Sequence, residues 1–396
     1  MSGNAHNPAL DVGRPHDKGH IRDAARRSPV MFMFMLTSWV AALAWFGPRL
    51  VQVLDVAQGP VSSFALHYFV VFIPVAWLYG IYNLSVVLFA LVDRLLPARE
   101  HAVGAADTPV AVLYTTCNDF VETSALSCAK LDYEHFRVYI LDDSSDREIM
   151  EKIDRFAARY DHVQVVRREN RQGFMAGNLN NALANVVEEP LFVIADSDEI
   201  LPRDFLRVLV PRINGDPDCG FIQANHRCLQ RGTKLQRDMC HGVDVHWKWY
   251  QPLRNRFGFV MFLGHGAILR RNCWLMVGGF PEVVSEDLAY AIAIREQGYY
   301  GTFAEDVTCF EEFPETVRSF RVRHVKWTRG TCEFLHRYGL DLLRSNRMPW
   351  SEKLDILFPT ANLPVTLFFF LYMVIAAIVL PLAIGERNIL TLEAFN

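Results

Sequence analysis

The stretch PLFVIADSDEI, residues 190–200, sets three acidic side chains directly behind a run of apolar residues. Carboxylates at the end of a buried strand are costly unless a cation meets them. Asp196 and Asp198 stand one residue apart, and such a pair can face Mg²⁺ or Mn²⁺, which prefer oxygen ligands. The alternative is an acidic helix cap, because SDEILPRDF (197–205) could begin a helix with negative charge at its amino end.

Strand-like and helix-like segments alternate over residues 109–198. The strand patterns are PVAVLYTT, FRVYILDD, HVQVV and PLFVIADSD, and the helix-like segments between them are VETSALSCAKL, REIMEKIDRFAARY and FMAGNLNNALANV. This order predicts a doubly wound, mostly parallel α/β sheet with ligands bound outside the carboxyl ends of its strands. Three strands end in the polar clusters TTCND, DDSSD and DSDE, which we expect along one edge. The sequence has neither a dinucleotide-binding nor a P-loop glycine motif.

Three long uncharged runs, at 30–47, 64–92 and 363–384, have the length of membrane spans, with buried core helices as the alternative. Basic residues precede the first run and follow the second, which places both flanks in the cytosol. The predicted organisation is a disordered cytosolic segment at 1–28, two transmembrane helices at 29–95, a cytosolic domain at 96–350, an interfacial helix with a third transmembrane helix at 351–385, and a short extracytoplasmic tail or the start of a truncated region at 386–396. The chain is thus predicted to be a multi-pass protein of the inner (plasma) membrane.

The composition narrows the classes of partner. A net charge of −4 offers no overall basic field, so nucleic acid is not an expected partner. Eight cysteines occur without any C-x-x-C spacing, which fits neither a zinc site nor a dense disulfide framework and predicts reduced thiols.

Two further acidic pairs stand where predicted elements end or begin. Asp142 and Asp143 close the second strand and could accept hydrogen bonds from a base or ribose hydroxyls, although a polar turn would also explain them. Glu286 and Asp287 open an amphipathic helix, where a carboxylate can act as a general base. An ordinary acidic helix start is the alternative.

A basic segment follows, RSFRVRHVKWTRGT (318–331), with six basic residues around Trp327 when His324 is included. Such cations could hold a diphosphate, and an indole face suits stacking on a sugar ring. A juxtamembrane patch that attracts anionic lipid is the alternative, and the two are compatible.

In this order, the motifs make the chain resemble the processive family 2 glycosyltransferases, that is, cellulose synthase and the enzymes that make curdlan, chitin, hyaluronan and poly-N-acetylglucosamine. The resemblance covers about residues 109–331 and the flanking spans, and it rests on TTCND, LDDSSD, GFMAGNLNNAL, ADSD, FLGHGAILRR, SED and RHVKW. It implies a GT-A-type, mostly parallel sheet in the cytosol, attached to transmembrane helices.

The resemblance also implies individual roles, with Asp287 as the catalytic base. The implied ligand sets are Thr116, Asn118, Asp142, Asp143, Asn178 and Asp196 for the nucleotide, Asp196 and Asp198 for Mg²⁺ or Mn²⁺, Arg323 and Lys326 for the diphosphate, and Trp327, Gly264, His265 and Glu286 for the acceptor, with Gly266 beside its end.

The implied activity is that of a metal-dependent inverting hexosyltransferase that polymerises, and helps to export, a β-linked exopolysaccharide from a UDP-sugar, with UDP-glucose favoured. The partners are then the UDP-sugar, the growing polysaccharide, membrane lipids and additional membrane subunits. Two alternatives stay open. One is transfer of a single sugar to a lipid acceptor, and the other is an inactive scaffold subunit of a polysaccharide secretion complex.

The sequence departs from the family pattern at four positions. Cys117 replaces a tyrosine, Met175 a lysine, and Arg323 and Lys326 the Gln and Arg of the Q-x-x-R-W motif. Lysine keeps the charge of arginine but loses its bidentate fork. Because the metal pair, the base and the tryptophan are retained, these changes bear more on the substrate than on activity. Family members also have more spans after the tryptophan motif, so a complete polymer channel would need more chain or a partner.

Overall fold

The computed structural model describes residues 27–97, 101–229 and 232–384. Most of the segment predicted to be disordered, and the whole tail predicted at 386–396, lie outside the described residues. The elements in chain order are α1 (Val30–Gln52), α2 (Pro60–Asp93), β1 (Val110–Thr116), α3 (Glu122–Ala129), β2 (Phe136–Asp142), α4 (Arg147–Ala157), β3 (Val163–Val166), α5 (Phe174–Asn185), β4 (Leu191–Asp196), β5 (Glu199–Ile200), α6 (Phe205–Gly215), β6 (Cys219–Cys228), α7 (Lys234–Val245), α8 (Gln251–Phe257), β7 (Ala267–Arg270), α9 (Arg271–Val277), α10 (Glu286–Glu296), β8 (Tyr300–Glu311), α11 (Val317–Arg344), α12 (Trp350–Val374) and α13 (Leu380–Ile384).

The three uncharged runs all lie in helices. Within the described residues, three helical segments are long and apolar enough to cross a membrane: Val30–Val56, Pro60–Asp93 and Trp350–Ile384. The last one joins α12 to α13 through a π-helical turn, so the segment predicted as an interfacial helix followed by a span is one continuous helix here. Tyr82 of α2 stacks on Phe358 of α12 with ring centroids 4.5 Å apart, which brings the second and third helices together.

Within the described residues, eight strands form one sheet in the order β3-β2-β1-β4-β7-β6-β8-β5. The first four strands by sequence are parallel, as the alternating pattern predicts. The other half is mixed, since β7 runs antiparallel to β4 and β6 while β6 and β8 are parallel to each other. The predicted α/β fold is therefore confirmed, with two antiparallel strands, β5 and β7, that the sequence pattern did not reveal.

Alternate side chains of the central strands enter two cores, one on each face of the sheet. Leu113 and Phe192 belong to the core under α5, whereas Val112 and Val193 belong to the core under α3 and α6. Because both faces are covered, the central strands read as continuous apolar runs. Polar residues can then be placed only at the strand ends, which is where the candidate site lies.

Two cysteines depart from the prediction of reduced thiols. Cys228, at the end of β6, and Cys240, in α7, form a disulfide with their Cα atoms 5.5 Å apart. The other six cysteines, all within the described residues, are free thiols. Their separation of twelve residues in the sequence did not predict a disulfide. The two cysteines come together only because α7 packs against the end of β6.

Candidate active site

The three polar clusters meet at one edge of the sheet, as predicted. In the register of β1, Thr116 lies beside Asp142 of β2, and Thr115 lies beside Asp196 of β4. The Thr115 hydroxyl donates to Asp196 Oδ1 over 3.0 Å. The strand ends therefore bring the residues predicted for nucleotide and metal binding together.

Asn118 joins the loops that follow β1 and β2. Its φ of 64° lies in the left-handed region, which Asn tolerates better than most residues. Its Oδ1 accepts from the backbone N–H groups of Ser145 and Asp146, each over 2.9 Å, and its Nδ2 donates to Ser145 Oγ. Thr116 Oγ1 donates to Asp119. These side chains shape the loops in the predicted nucleotide pocket.

The carboxylates of Asp142 and Asp143 are held by arginines that the sequence analysis missed. Arg167 Nε donates to Asp142 over 2.7 Å, and Arg168 makes a two-point contact with Asp143 over 2.8 and 2.6 Å. The signal was present in the run VVRRENR after the third strand, where basic residues leave the same edge of the sheet. The polar-turn alternative also holds in part, because Asp142 Oδ1 accepts from the Ser144 N–H.

Asn178 lies under this pocket in α5. It is buried, and its Nδ2 donates to the Leu141 carbonyl over 3.2 Å. Its Oδ1 has no hydrogen-bond partner among the described residues. An unpaired buried amide oxygen can accept one bond from a ligand donor.

Asp196 and Asp198 form an acidic pair that does not cap a helix. Glu199–Ile200 continues as β5 against β8, and α6 begins only at Phe205, so the helix-cap alternative is excluded. Burial, with the negative charge of Asp196, raises the pKa of Asp198 to about 6. Arg323 NH2 lies 3.3 Å from Asp198 Oδ2. The pair therefore carries repulsion that one arginine only partly offsets.

The pair fits a hard divalent cation. Both side chains offer only oxygen donors, and the Asp198 side chain is 32 % exposed, which leaves it open to a ligand. A positive ion beside two carboxylates would relieve the repulsion that raises the Asp198 pKa. Three other buried side chains could also ligate a metal ion, namely Glu199, His226 and Cys309. Their potential ligand atoms lie within 4.8 Å of one another.

Glu286 and Asp287 begin α10 across from the acidic pair. Burial and the neighbouring Asp287 raise the pKa of Glu286 to about 8, while burial raises the pKa of Asp287 to about 6. Asp287 Oδ1 accepts from the Leu288 N–H over 2.7 Å. Gly264, at a φ of +90°, lies so close that a Cβ there would be 3.6 Å from Asp287 Oδ2. At neutral pH, Asp287 is thus an ionised carboxylate with raised basicity.

We expect Glu286→Gln to change how protein stability depends on pH. An acid with a raised pKa keeps its proton in the folded state between its unfolded and folded pKa values, here about 4.5 and about 8. Wild-type stability should therefore fall as the pH rises through this window. Because the amide cannot ionise, the variant should gain about 3 °C in melting temperature relative to wild type at pH 8.5, but not at pH 4.5.

The measurement is thermal unfolding of both proteins in the same detergent at the two pH values. Glu189→Gln is the control for the loss of one carboxylate. Glu189 lies far from the site, where it accepts a hydrogen bond from Tyr139. An equal offset between Glu286→Gln and wild type at both pH values would contradict the raised pKa.

α11 lies across the mouth of the site. Arg323 contacts Asp198, and its guanidinium carbon lies 5.6 Å from the ring centre of Trp327, one turn later. Trp327 is 51 % exposed, so one indole face is available. The positive charge of Lys326 partly offsets the raised pKa values of Glu286 and Asp287, so Lys326 lies near these two carboxylates. Gly330 lets the helix approach, because a Cβ there would lie 2.7 Å from Ser285 Oγ.

A separate cavity of about 1330 Å³ lies between the end of α2 and the strands β6 and β8. Its lining includes Asp93, Arg94, Asn225, Trp249 and Tyr300, and it contains none of the residues predicted from the sequence to act on a substrate. The acidic residues lie elsewhere, at and after the ends of β2 and β4. Cavity size alone would therefore point away from the convergent polar groups.

The chain is similar to several known proteins in sequence and in fold. Residues 191–383 match the family model described as Glycosyl transferase family group 2. The chain is 25 % identical over 230 residues to a probable glucomannan 4-beta-mannosyltransferase 11 of Arabidopsis thaliana, covering 56 % of this chain and 52 % of that protein. It is 28 % identical over 255 residues to a putative cellulose synthase 2 of Komagataeibacter xylinus, covering 61 % and 16 %. The chain thus spans about half, or less, of the length of these curated relatives.

Among solved structures, the chain is similar to the mannosyltransferase PcManGT from Pyrobaculum calidifontis, determined in complex with GDP-Man and Mn²⁺. The TM-score is 0.53 at 20 % sequence identity, and the match covers 82 % of this chain and 85 % of that one. At this identity the likeness establishes a shared GT-A fold.

Proposed function

We propose that this chain is a family 2 glycosyltransferase on a GT-A fold, and that it transfers a hexose from a nucleotide sugar to a β-linked polysaccharide at a membrane. One observation carries the proposal. Helix α11 carries Arg323, which contacts Asp198, the exposed Trp327 beside it, and Lys326, whose charge acts on Asp287. The proposal assigns a donor site, a base and a sugar-stacking surface to these groups.

The reaction that fits this arrangement is a single displacement. Asp287 accepts the proton of an acceptor hydroxyl while that oxygen attacks the anomeric carbon from the side opposite the diphosphate. The bond from the anomeric carbon to the diphosphate oxygen breaks, and its electron pair leaves with the nucleoside diphosphate. One displacement inverts the anomeric centre, so an α-linked donor yields a β-linked product.

Asp196 and Asp198 are the residues that would hold Mg²⁺ or Mn²⁺, which supplies positive charge to the diphosphate when it is bound. Arg323 and Lys326 extend the positive surface on α11, and Arg323 would exchange its contact with Asp198 for one with phosphate oxygens. On the nucleotide side, Arg171 approaches Asp143 to 3.9 Å and is half exposed. It supplies a cation close to the position where Met175 replaces the family's lysine.

UDP-glucose is our first candidate for the donor, and transfer into a β-glucan is the first candidate reaction. GDP-mannose is the second, because PcManGT was determined with GDP-Man and probable glucomannan 4-beta-mannosyltransferases of Arabidopsis thaliana are among the curated relatives. Exposed Trp327 in the cleft favours an oligosaccharide acceptor over a single lipid-linked sugar, since an indole face stacks on a pyranose ring. The three apolar helices support catalysis next to a bilayer, with the domain on the cytosolic side.

The experiment is a donor panel on the purified, detergent-solubilised protein. UDP-glucose, UDP-N-acetylglucosamine and GDP-mannose are each incubated with Mg²⁺ or Mn²⁺, and nucleoside diphosphate release and product length are measured. We expect release with one donor and a product of many sugars. A single-sugar lipid product would support the lipid-acceptor alternative, and the absence of release with every donor would support an inactive scaffold.

A further inference from the structure

The proposed reaction does not use His226 and Glu199, two buried residues next to the acidic pair. His226 of β6 and Glu199 of β5 are both completely buried, and His226 Nε2 lies 2.8 Å from Glu199 Oε1. The other ring nitrogen, Nδ1, lies 3.1 Å from the Ala224 carbonyl oxygen. Because a carboxylate oxygen can only accept a hydrogen bond, His226 Nε2 is the donor to Glu199.

The second carboxylate oxygen of Glu199 contacts residues of β4 and of the turn at 264–266. Glu199 Oε2 accepts from the Asp196 N–H over 3.3 Å and lies 3.3 Å from His265 Nδ1. His265 Nε2 in turn lies 3.8 Å from Glu311 of β8. One carboxylate therefore joins the end of β4, which bears the acidic pair, to β6 and to the turn at 264–266.

The turn at 264–266 rests directly on the hydrogen-bonded side chains of His226 and Glu199. Gly266 has a φ of +60°, and a Cβ there would lie 2.3 Å from His226 Nε2 and 2.4 Å from Glu199 Oε1. At the other end of the turn, a Cβ on Gly264 would lie 3.6 Å from Asp287 Oδ2. A change in the His226–Glu199 hydrogen bond would consequently be felt both at Asp196 and beside the proposed base.

We propose that Glu199 and His226 are positioning residues that fix the acidic pair relative to the turn beside Asp287, so that donor and base are already aligned before substrate binds. The inference rests on the proposed function. A buried hydrogen bond to a carboxylate is suited to this task because it is directional and costly to leave unmade. Preorganised placement matters because small misplacements of reacting groups cost large factors in rate.

The same residues could instead ligate a metal together with Cys309, since all three ligand atoms fall within 4.8 Å. The 2.8 Å separation of His226 Nε2 and Glu199 Oε1 is a direct hydrogen-bond distance. The other oxygen of Glu199 already accepts a hydrogen bond from the Asp196 N–H. We therefore favour a proton, and not a metal ion, between the two side chains.

Two isosteric substitutions of His226 test the proposal. In His226→Gln, the amide nitrogen takes the place of Nε2 and can still donate to Glu199, whereas in His226→Asn it takes the place of Nδ1 and cannot. We expect His226→Asn to weaken Mn²⁺-dependent UDP or GDP binding about 10-fold and to lower kcat/KM about 100-fold, because Glu199 loses its donor. His226→Gln should stay within about 3-fold of wild type in both quantities.

Binding is measured by titration calorimetry, and kcat and KM are measured separately with the active donor. Equal values for the Gln and Asn variants would overturn the proposal, as would stoichiometric metal in the purified wild type that is lost in Cys309→Ser. A second readout does not depend on catalysis. Histidine-selective ¹⁵N-labelled, unliganded wild type should show a low-field Nε2–H proton that disappears in His226→Asn. If that proton is present but no nucleotide binds, the proposed function fails while the hydrogen bond stands, and if it is absent, the positioning role is lost.

Discussion

Asp287→Asn should reduce sugar transfer by about 10³ to 10⁴-fold while leaving nucleotide affinity within about 2-fold of wild type, because the amide cannot accept the acceptor's proton. The substitution is nearly isosteric. The Asn Oδ1 can still accept from the Leu288 N–H that now binds Asp287 Oδ1, so the start of α10 should keep its geometry. The loss is then specific to the proton-transfer step.

The pH dependence provides a second measure of the same residue. Because the pKa of Asp287 is raised to about 6, its basic form dominates at neutral pH and is lost as the pH falls through this value. The wild-type kcat/KM should therefore decline below about pH 6. The decline should be absent from the residual activity of Asp287→Asn.

Glu286→Gln is the matched control for this experiment, since it replaces the adjacent carboxylate by the same isosteric change. Its transfer rate should fall much less than that of Asp287→Asn. Near-normal turnover in Asp287→Asn, or a larger loss in Glu286→Gln, would assign the base to Glu286 or to a group outside the pair. UDP or GDP titration of each variant separates a catalytic loss from a binding loss.

The sequence predicted the elements whose signals are local. The four parallel strands were recognisable because each is a short apolar run that ends in polar residues, and a parallel sheet places such ends at one edge. The start of α10 at Glu286 is likewise a local pattern. These elements are enough to bring the predicted site residues together.

The contacts that hold the site were not predictable, because they join segments that are distant in the chain. Arg168 reaches Asp143 across 25 residues, and Glu199 meets His226 across 27. Both contacts depend on strand order, and no pattern in the sequence revealed that β7 would be inserted antiparallel between β4 and β6. The same applies to the pairing of Cys228 with Cys240.

The effect of Asp198→Asn on nucleotide affinity should depend on whether a divalent ion is present. With Mn²⁺, we expect UDP or GDP affinity to fall by at least about 100-fold, since even residues that support a metal ligand are worth about 10 to 100-fold. In EDTA, the affinity should be unchanged or higher, because the carboxylate, next to Asp196, repels a diphosphate when no cation lies between them. The released Arg323 then adds a cation for the phosphates.

Titration calorimetry in both buffers measures this reversal. Asp161→Asn is the control, because Asp161 is an exposed acid ahead of β3 at the opposite edge of the sheet and its loss should alter neither affinity. An unchanged affinity of Asp198→Asn in Mn²⁺ would mean that the pair does not bind the cation. A fall in both buffers would instead indicate that Asp198 holds Arg323 in place for the nucleotide, since the salt bridge over 3.3 Å is the contact that both conditions share.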